Sequence, residues 1–320
     1  MVVYSEHDMP KKNFFKTLPG DGSAHRNIAE HLSTQEVAHL SLTSQDEREL
    51  VAPALRQRKI AVFLSHVARG EQADARALLQ ADPFLMFQRG PVTDFSGRTF
   101  PSVSGFEYAL WAMDTRMWRM MLECIPDSPE GENLKALLLT QSQLLETEGL
   151  SYNLAGHHFD HQHHFDFTPL RLAMQAYVDP AMRDHFFHVI GQEQYLVPAH
   201  VAQEYCCRSY QTSFHYLTEA DFEGDLFERS LVIRGFGGEA EDTTWWPVVD
   251  TSLLRLGRDF AVAWEGGPRY FLSGINEYPP GPARVAAEKN VLDRLFLVRT
   301  RELGLIEDLL SPGHEEQPHP

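Results

Sequence analysis

The densest group of chemically versatile side chains lies between residues 156 and 166, where the chain reads GHHFDHQHHFD. Neutral imidazoles and carboxylates are common protein ligands of Zn²⁺, Ni²⁺ and Fe²⁺. In an extended strand, alternate side chains point to the same side, so several of these histidines would share one face. The candidate metal ligands chosen on this basis are His157, His161, His163 and Asp160.

Two other interpretations of the same segment stay open. A polar, exposed loop can be rich in histidine without binding a metal. Clustered imidazoles could also change charge between about pH 5 and 8 and act as a switch. The sequence therefore predicts either no cofactor or one divalent metal, Zn²⁺ or Ni²⁺. With a bound metal, a metal-dependent enzyme is the alternative function.

The motif from Asp94 to Arg98, DFSGR, is a second candidate for chemistry. Its structural interpretation is a turn in which Asp94 caps backbone N–H groups, Gly97 supplies a positive φ angle and Arg98 pairs with a carboxylate. The adjacent Cys206 and Cys207 could provide a thiol nucleophile, or lie buried on an apolar helix face. The sequence carries none of the standard phosphate-loop, zinc-protease, serine-hydrolase or dinucleotide motifs.

Two long excursions, at residues 83–104 and 146–167, separate helical patterns along the chain. Glycine and proline punctuate the first excursion, which predicts extended chain with turns. Ser104 and Glu107 form a capping box, and the apolar spacing that follows predicts two short helices. The excursions carry aromatic residues of the type enriched at interfaces, although these rings could instead fold back onto the helices. The candidate partner-binding residues are Phe87, Phe95, Arg98, Phe100, Tyr152 and Phe159.

Two stretches of the sequence resemble ankyrin repeats. The run VARGEQADARALLQADP places Gly70 at a turn between helices, followed by two leucines on the second helix. Thr168-Pro169-Leu170 resembles the opening signature of an ankyrin repeat, with Arg171 where that signature has histidine. The segment GFEYALWAMD lies in register with DFTPLRLAMQ. The resemblance implies degenerate repeats whose two excursions protrude from a common side as a binding face.

The expected fold class is mostly α: a degenerate ankyrin-like stack of helical hairpins, followed by a C-terminal α+β portion. Segments 229–236 and 259–272 read as strands, and a final helix is expected over 286–310. The expected domain limits are a mobile N-terminal arm at 1–32, the ankyrin-like helical region at 33–195, the α+β region at 196–310 and a polar tail at 311–320.

Composition narrows the function further. A net charge of −17 over 320 residues argues against nucleic-acid binding, because phosphates repel an acidic surface. No apolar run is long enough for a membrane span or a signal peptide, and three cysteines favour a reducing compartment. These features predict a cytoplasmic location. The aromatic residues of the two excursions predict a protein partner of unknown identity.

The motif pattern also resembles ankyrin-like proteins of intracellular bacterial pathogens, many of which are suspected type IV secretion substrates. This resemblance implies a protein–protein interaction module that is secreted into a host cell as an effector. The acidic side chains near the C-terminus are compatible with a translocation signal. They are Glu307, Asp308, Glu315 and Glu316.

Overall fold

The computed structural model describes residues 31–179, 181–182, 185–201 and 281–311. The chain divides into two compact units, Met1–Val62 and Phe63–Pro320. Several sequence-based predictions lie outside the described residues. These are most of the N-terminal arm 1–32, the Cys206–Cys207 pair, the strands at 229–236 and 259–272, and nearly all of the tail 311–320.

In the first unit, α1 (Thr34–Ser41) begins at a capping box that the Ser33-x-x-Glu36 spacing of the sequence also predicts. The Ser33 backbone N–H donates to the Glu36 carboxylate at 2.7 Å, and the Glu36 N–H donates to the Ser33 hydroxyl at 3.3 Å. Two N–H groups at the helix start are thereby satisfied. Val37 of α1 and Val51 of the next helix are the buried centre of a small apolar cluster.

The second helix, α2 (Gln45–Arg69), is longer than the sequence predicts. The capping pattern and the apolar spacing suggest two helices, one over 44–57 and another after it, but the helix is continuous through Pro53. Proline removes one backbone hydrogen bond from a helix interior. Burial of Phe63, Leu64 and Val67 on the following turns favours continuation of the helix over a break.

The second unit combines short helices with one sheet. Its elements are α3 (Gln72–Ala81), a 3₁₀ turn (Pro83–Phe87), β1 (Arg89–Thr93), β2 (Thr99–Ser104), α4 (Gly105–Trp111), α5 (Thr115–Glu123), α6 (Pro129–Thr147), β3 (Leu150–Leu154), β4 (His157–Gln162) and α7 (Thr168–Ala176). A π-helical turn (Phe186–Ile190) runs into α8 (Gly191–Tyr195), and α9 (Pro282–Leu303) and α10 (Ile306–Leu310) follow after the undescribed segment.

The two predicted short helices are confirmed as α4 and α5. Ser104 caps α4 in a complete capping box with Glu107, and the Asp114 carboxylate caps α5 by accepting from Met117 N at 3.0 Å. Met113, at a φ of 59°, makes the turn between them. Every residue of α4 is buried, so the sheet and the neighbouring helices must cover it on several sides.

The sheet has four antiparallel strands in the order β1-β2-β3-β4. Each excursion forms one hairpin, and the pair Thr99–Asn153 joins β2 of the first hairpin to β3 of the second. Each hairpin contains one irregularity. In the β3–β4 hairpin, Asp160 and His161 together oppose a single residue of β3, and His161 has a φ of 53°. This is the geometry of a β-bulge.

The two faces of the sheet differ in character because side chains alternate along each strand. The inner face carries Phe100 and Tyr152, whose rings lie 5.0 Å and 5.6 Å from the Trp111 ring of α4. The outer face carries one row of exposed residues that crosses all four strands through paired positions. We call these residues the outer row: Thr93, Thr99, Asn153 and His158.

The predicted ankyrin-like stack is therefore wrong. The two excursions do not protrude as separate loops from successive helical layers, because they pair with each other into one sheet that packs on α4. The helices that would form the layers are also unequal, from 25 residues in α2 to 7 in α4. Within the described residues the fold is helical with an antiparallel sheet. Burial alternates along Leu150–Leu154 as in a strand, and the pair Thr99–Asn153 joins this strand to the first hairpin.

Histidines of the second hairpin form part of the cap on the C-terminus of α6. The Nδ1 atoms of His161 and His163 lie 3.0 Å from the carbonyl oxygens of Glu148 and Leu145 respectively. A carbonyl oxygen only accepts, so each Nδ1 carries the proton and donates it. Gly149, with a φ of 72°, ends the helix where β4 crosses closest.

We expect Gly149→Ala to lower the free energy of unfolding by about 3 kcal/mol or more. A Cβ at this position would lie 2.5 Å from the His161 carbonyl carbon and would also be held at a positive φ angle. Gly156→Ala is the matched control, because Gly156 has a φ of 82° and open space around it, so only the conformational cost of about 1 kcal/mol applies. Chemical denaturation of both variants measures the difference, and equal losses would contradict the predicted close approach.

Among the residues that the structure describes, no helix combines the length and the hydropathy that a bilayer crossing requires.

Candidate functional site

The DFSGR motif forms the tight connection between β1 and β2. Asp94 Oδ1 accepts hydrogen bonds from Ser96 N at 3.0 Å, from Ser96 Oγ at 2.6 Å and from Arg98 N at 3.0 Å. Gly97 adopts a φ of 85°, which favours glycine at this position. The predicted roles of Asp94, as a cap on backbone N–H groups, and of Gly97, at a positive φ angle, are therefore confirmed.

The Arg98 side chain is buried inside the protein instead of pointing toward a partner. Its guanidinium carbon lies 5.6 Å from the Trp111 ring centroid, 5.5 Å from that of Tyr152 and 5.0 Å from that of Phe165. Its Nη1 atom lies 3.6 Å from Asp94 Oδ2 and also donates to the Ser96 hydroxyl. Aromatic faces attract the cation, and the carboxylate balances its charge.

Arg98 also connects the sheet to a distant part of the sequence. Its Nη1 donates to the Leu196 carbonyl oxygen, at the end of α8, over 2.6 Å. Close by, His200 Nε2 donates to the Ala112 carbonyl oxygen over 2.7 Å, which ties the same segment to the end of α4. Residues 196–200 are thus held against the sheet and α4 by one partly buried and one buried hydrogen bond.

Burial dominates the electrostatics of this group. Desolvation raises the pKa of Asp94 above its ordinary value of 3.8, and the Arg98 charge and the Ser96 hydrogen bonds offset this only in part. Burial likewise raises the pKa of Tyr108 well above 10.0, and its hydroxyl donates to Asp94 Oδ2 at 3.4 Å. Among the described residues these polar groups are hydrogen-bonded or ion-paired with one another, so the arrangement links the DFSGR turn to the sheet and α4.

A second buried polar cluster was not predicted from the sequence. The Glu302 carboxylate accepts from Thr115 Oγ1 at 2.7 Å and from Arg299 Nη1 at 2.8 Å. It thereby joins α9 to the start of α5. The spacing of Arg299 and Glu302, three residues apart on a helix, is the sequence signal for their ion pair, whereas the contact with Thr115 needs the tertiary structure.

The predicted partner-binding residues divide into two groups. Arg98, Phe100 and Tyr152 are buried in the core between the sheet and α4, so their assignment as a partner-contacting surface is corrected. Their aromatic rings and the guanidinium group contact Trp111 and one another inside the protein. Phe87, Phe95 and Phe159 are half-buried.

The three half-buried aromatic residues also have internal contacts. Phe87 packs edge to face with Phe84, at a centroid distance of 6.1 Å, and Phe159 stacks on Tyr152 at 5.0 Å. The Arg69 guanidinium lies 5.4 Å from the Phe95 ring. Folding back of the aromatic residues onto the protein, which the sequence left open, therefore accounts for much of their surface.

The predicted metal ligands lie along β4 and just beyond it. His157 and Asp160 are exposed, and the bulge at His161 breaks the regular alternation that was expected to place the histidines on one side. Within the described part of the chain, these four side chains do not bring three ligand atoms within 4.8 Å of one another. The expected one-sided ligand set is therefore corrected, since it assumed an unbroken strand.

Elsewhere in the described residues, ligand atoms of His66, Glu71 and Asp74 do come within 4.8 Å of one another. His66 Nδ1 and Glu71 Oε2 are already paired at 2.5 Å, and the Arg69 guanidinium lies 4.0 Å from the same carboxylate. A cation would compete with both contacts. The closeness of these three side chains is accounted for by the ion pairs of the turn between α2 and α3.

The described residues define a helical protein with a small antiparallel sheet and buried polar connections. The relatives found by comparison with known proteins are described without an activity. Residues 170–310 match the family model described as the CBUA0006 C-terminal domain. The chain is similar to the "Uncharacterized protein CBUA0006" of Coxiella burnetii (strain RSA 493 / Nine Mile phase I), with 36% identity over 230 residues.

The aligned part covers 65% of this chain and 64% of that relative, so it spans just under two thirds of the relative's length. No solved structure gives a significant match. The family match begins within α7, so Leu196 and His200 fall inside it, whereas Arg98 and Ala112 lie before it. The polar contacts described above therefore connect residues on both sides of that boundary.

We expect the stability advantage of the natural protein over Asp94→Asn to shrink as the pH rises above 3.8. The folded state keeps the Asp94 proton in a range where the unfolded state has released it, because the pKa is raised on folding. The contribution of this carboxyl group is thus complete below 3.8 and is lost as the pH rises through the folded pKa, by up to about 1.4 kcal/mol per pH unit. Urea unfolding of both proteins across that range measures the difference. A difference that stays constant or grows would contradict the raised pKa.

Proposed function

We propose that the chain is a protein–protein interaction module that contacts its partner through the outer face of the four-stranded sheet. The observation that carries the proposal is the outer row, in which Thr93, Thr99, Asn153 and His158 are exposed side by side across all four strands. The inner face of the same sheet is packed against α4. A rigid sheet supported from behind is a suitable platform for a partner, because little order has to be gained on binding.

The charge distribution supports the same surface. The chain has a net charge of −17, whereas the middle of the outer face carries only hydroxyl, amide and imidazole groups. Interface cores are depleted of charged residues, because removing charge from water is costly. The side chains are also held in place. Thr93 and Thr99 hydrogen-bond at 3.1 Å, and His158 Nδ1 lies 3.0 Å from Asn153 Oδ1.

Export as an effector is the second part of the proposal. It is supported by the acidic residues at the C-terminal end of the chain, four of which lie between positions 307 and 316. The geometry of α10 shows where an export test has to cut. Ile306 and Leu310 of α10 are buried and Glu302 belongs to the polar cluster at α5, so a truncation that begins at 301 would damage the folded part.

We expect Thr99→Arg to weaken binding of a captured partner at least about tenfold, because a long cation would stand in the middle of a neutral face. Thr140→Arg is the matched control, since Thr140 is equally exposed but lies on α6. Affinity capture from lysate with the natural chain identifies the partner, and titration calorimetry with each variant measures the affinity. Equal binding by Thr99→Arg and the natural chain would contradict the outer face as the contact surface.

For export, we expect deletion of residues 312–320, which keeps every described residue, to lower translocation into host cells by about tenfold. A reporter fusion measures translocation, and circular dichroism confirms folding. Replacement of Glu315 and Glu316 by glutamine in the full-length chain separates charge from length. Unchanged export after the deletion would remove the tail from the proposal and would leave the interaction module untouched.

A further inference from the structure

The β4 strand is an open edge of the sheet within the described residues, where it pairs with β3 alone. The hairpin turn Ala155-Gly156 has φ angles of 50° and 82°, which define a two-residue turn of type I′. In such a hairpin the flanking residues Leu154 and His157 form a hydrogen-bonded pair, and alternate residues then point their main-chain groups away from the partner strand. His158 and Asp160 therefore direct their N–H and C=O groups outward.

The outward groups form a short and well-defined edge. The bulge at His161 ends the regular part of β4, so the edge is centred on the sequence His158-Phe159-Asp160. The Asp160 carbonyl oxygen accepts from Gln162 Nε2 at 2.9 Å, which leaves its second lone pair for another donor. The side chains of His158 and Asp160 are exposed, and that of Phe159 is half-buried.

We propose that this edge pairs with the same edge of a second copy of the chain, antiparallel and around a twofold axis at Phe159. In that register His158 lies opposite the partner's Asp160, and Asp160 lies opposite the partner's His158. The outward groups of these residues face each other, which gives about four main-chain hydrogen bonds across the axis. The two Phe159 rings meet on the inner side and cover each other's exposed part.

The second copy is the occupant that the charges favour. An imidazole and a carboxylate placed two residues apart are complementary to themselves when the strand is reversed about the residue between them. A parallel or shifted arrangement would place like groups opposite each other, which is unfavourable. The contact uses the edge of β4, and it shares only His158 with the outer row. Asp160 lies outside the outer row, so variants of Asp160 test the edge separately from the outer face.

The size of the contact sets the expected behaviour. A few residues on each copy bury much less than the area of a standard stable interface, so self-association should be weak and concentration-dependent. Sedimentation velocity of the full chain over a wide concentration range is the suitable measurement. We expect the weight-average mass to rise from 36.5 kDa toward twice that value as the concentration increases.

Charge exchange at the edge provides the test. His158→Asp places carboxylates opposite each other and Asp160→His places imidazoles opposite each other, and each change should raise the dimer dissociation constant about tenfold. The double variant His158→Asp with Asp160→His restores opposite groups at both positions and should restore the dissociation constant. Thr140→Asp, an exposed change on α6, controls for added negative charge and should have no effect. Circular dichroism confirms that each variant is folded.

A dimer that weakens in both single variants and recovers in the double variant supports the proposal. A natural chain that remains a monomer up to about 1 mM overturns it. A dimer that the single variants leave intact overturns it as well, and so does one that the double variant fails to restore. A monomer that captures another protein, keeps it in Thr99→Arg and loses it in Asp160→His would assign the edge to a different occupant and would also overturn the proposal.

Discussion

The buried guanidinium group of Arg98 is the constraint on which much of this structure depends. A cation removed from water needs a countercharge, hydrogen-bond acceptors and polarisable neighbours at the same time. Asp94 provides the first, the Leu196 carbonyl and the Ser96 hydroxyl provide the second, and Trp111 is among the rings that provide the third. These groups come from a hairpin turn, from α4 and from the end of α8. One side chain therefore fixes the mutual placement of segments that are almost a hundred residues apart.

The histidine-rich segment shows how composition and geometry can point in different directions. Clustered imidazoles suggest metal binding. Two of them, His161 and His163, instead donate from Nδ1 to carbonyl oxygens at the C-terminal end of α6. Helix ends leave some carbonyls without partners inside the helix, and His161 donates to one of them, that of Glu148. The Leu145 carbonyl already accepts from Gly149 N at 3.0 Å and gains His163 as a second donor. The bulge that places His161 for this purpose also interrupts the strand. Hydrogen bonding to the end of α6 thus gives a structural role to two of the histidines that resemble metal ligands in the sequence.

Local features of the fold could be predicted from the sequence, and long-range features could not. The capping boxes at Ser33 and Ser104 depend on residues three apart, and both are present. The DFSGR turn follows from its own residue types. The two hairpins join into one sheet through the pairing of Thr99 with Asn153, which lie far apart in the chain. Local periodicity carries no information about such a long-range pairing. The positive φ angle at His161 was equally hidden, because it occurs where β4 passes close to Gly149, and the local residue pattern does not show that approach.

The two ends of the sheet are not equivalent, and this difference limits what the sheet can build. Strand β1 carries the exposed Pro91, which has no N–H to offer a neighbouring strand, and its hairpin is irregular at the same point. Strand β4 has no proline. Among the described strands, addition of a further strand is therefore less favourable at β1 than at β4. A dimer formed through β4, as proposed above, would leave β1 as the outer strand on both sides, and its proline would disfavour further growth into a ribbon.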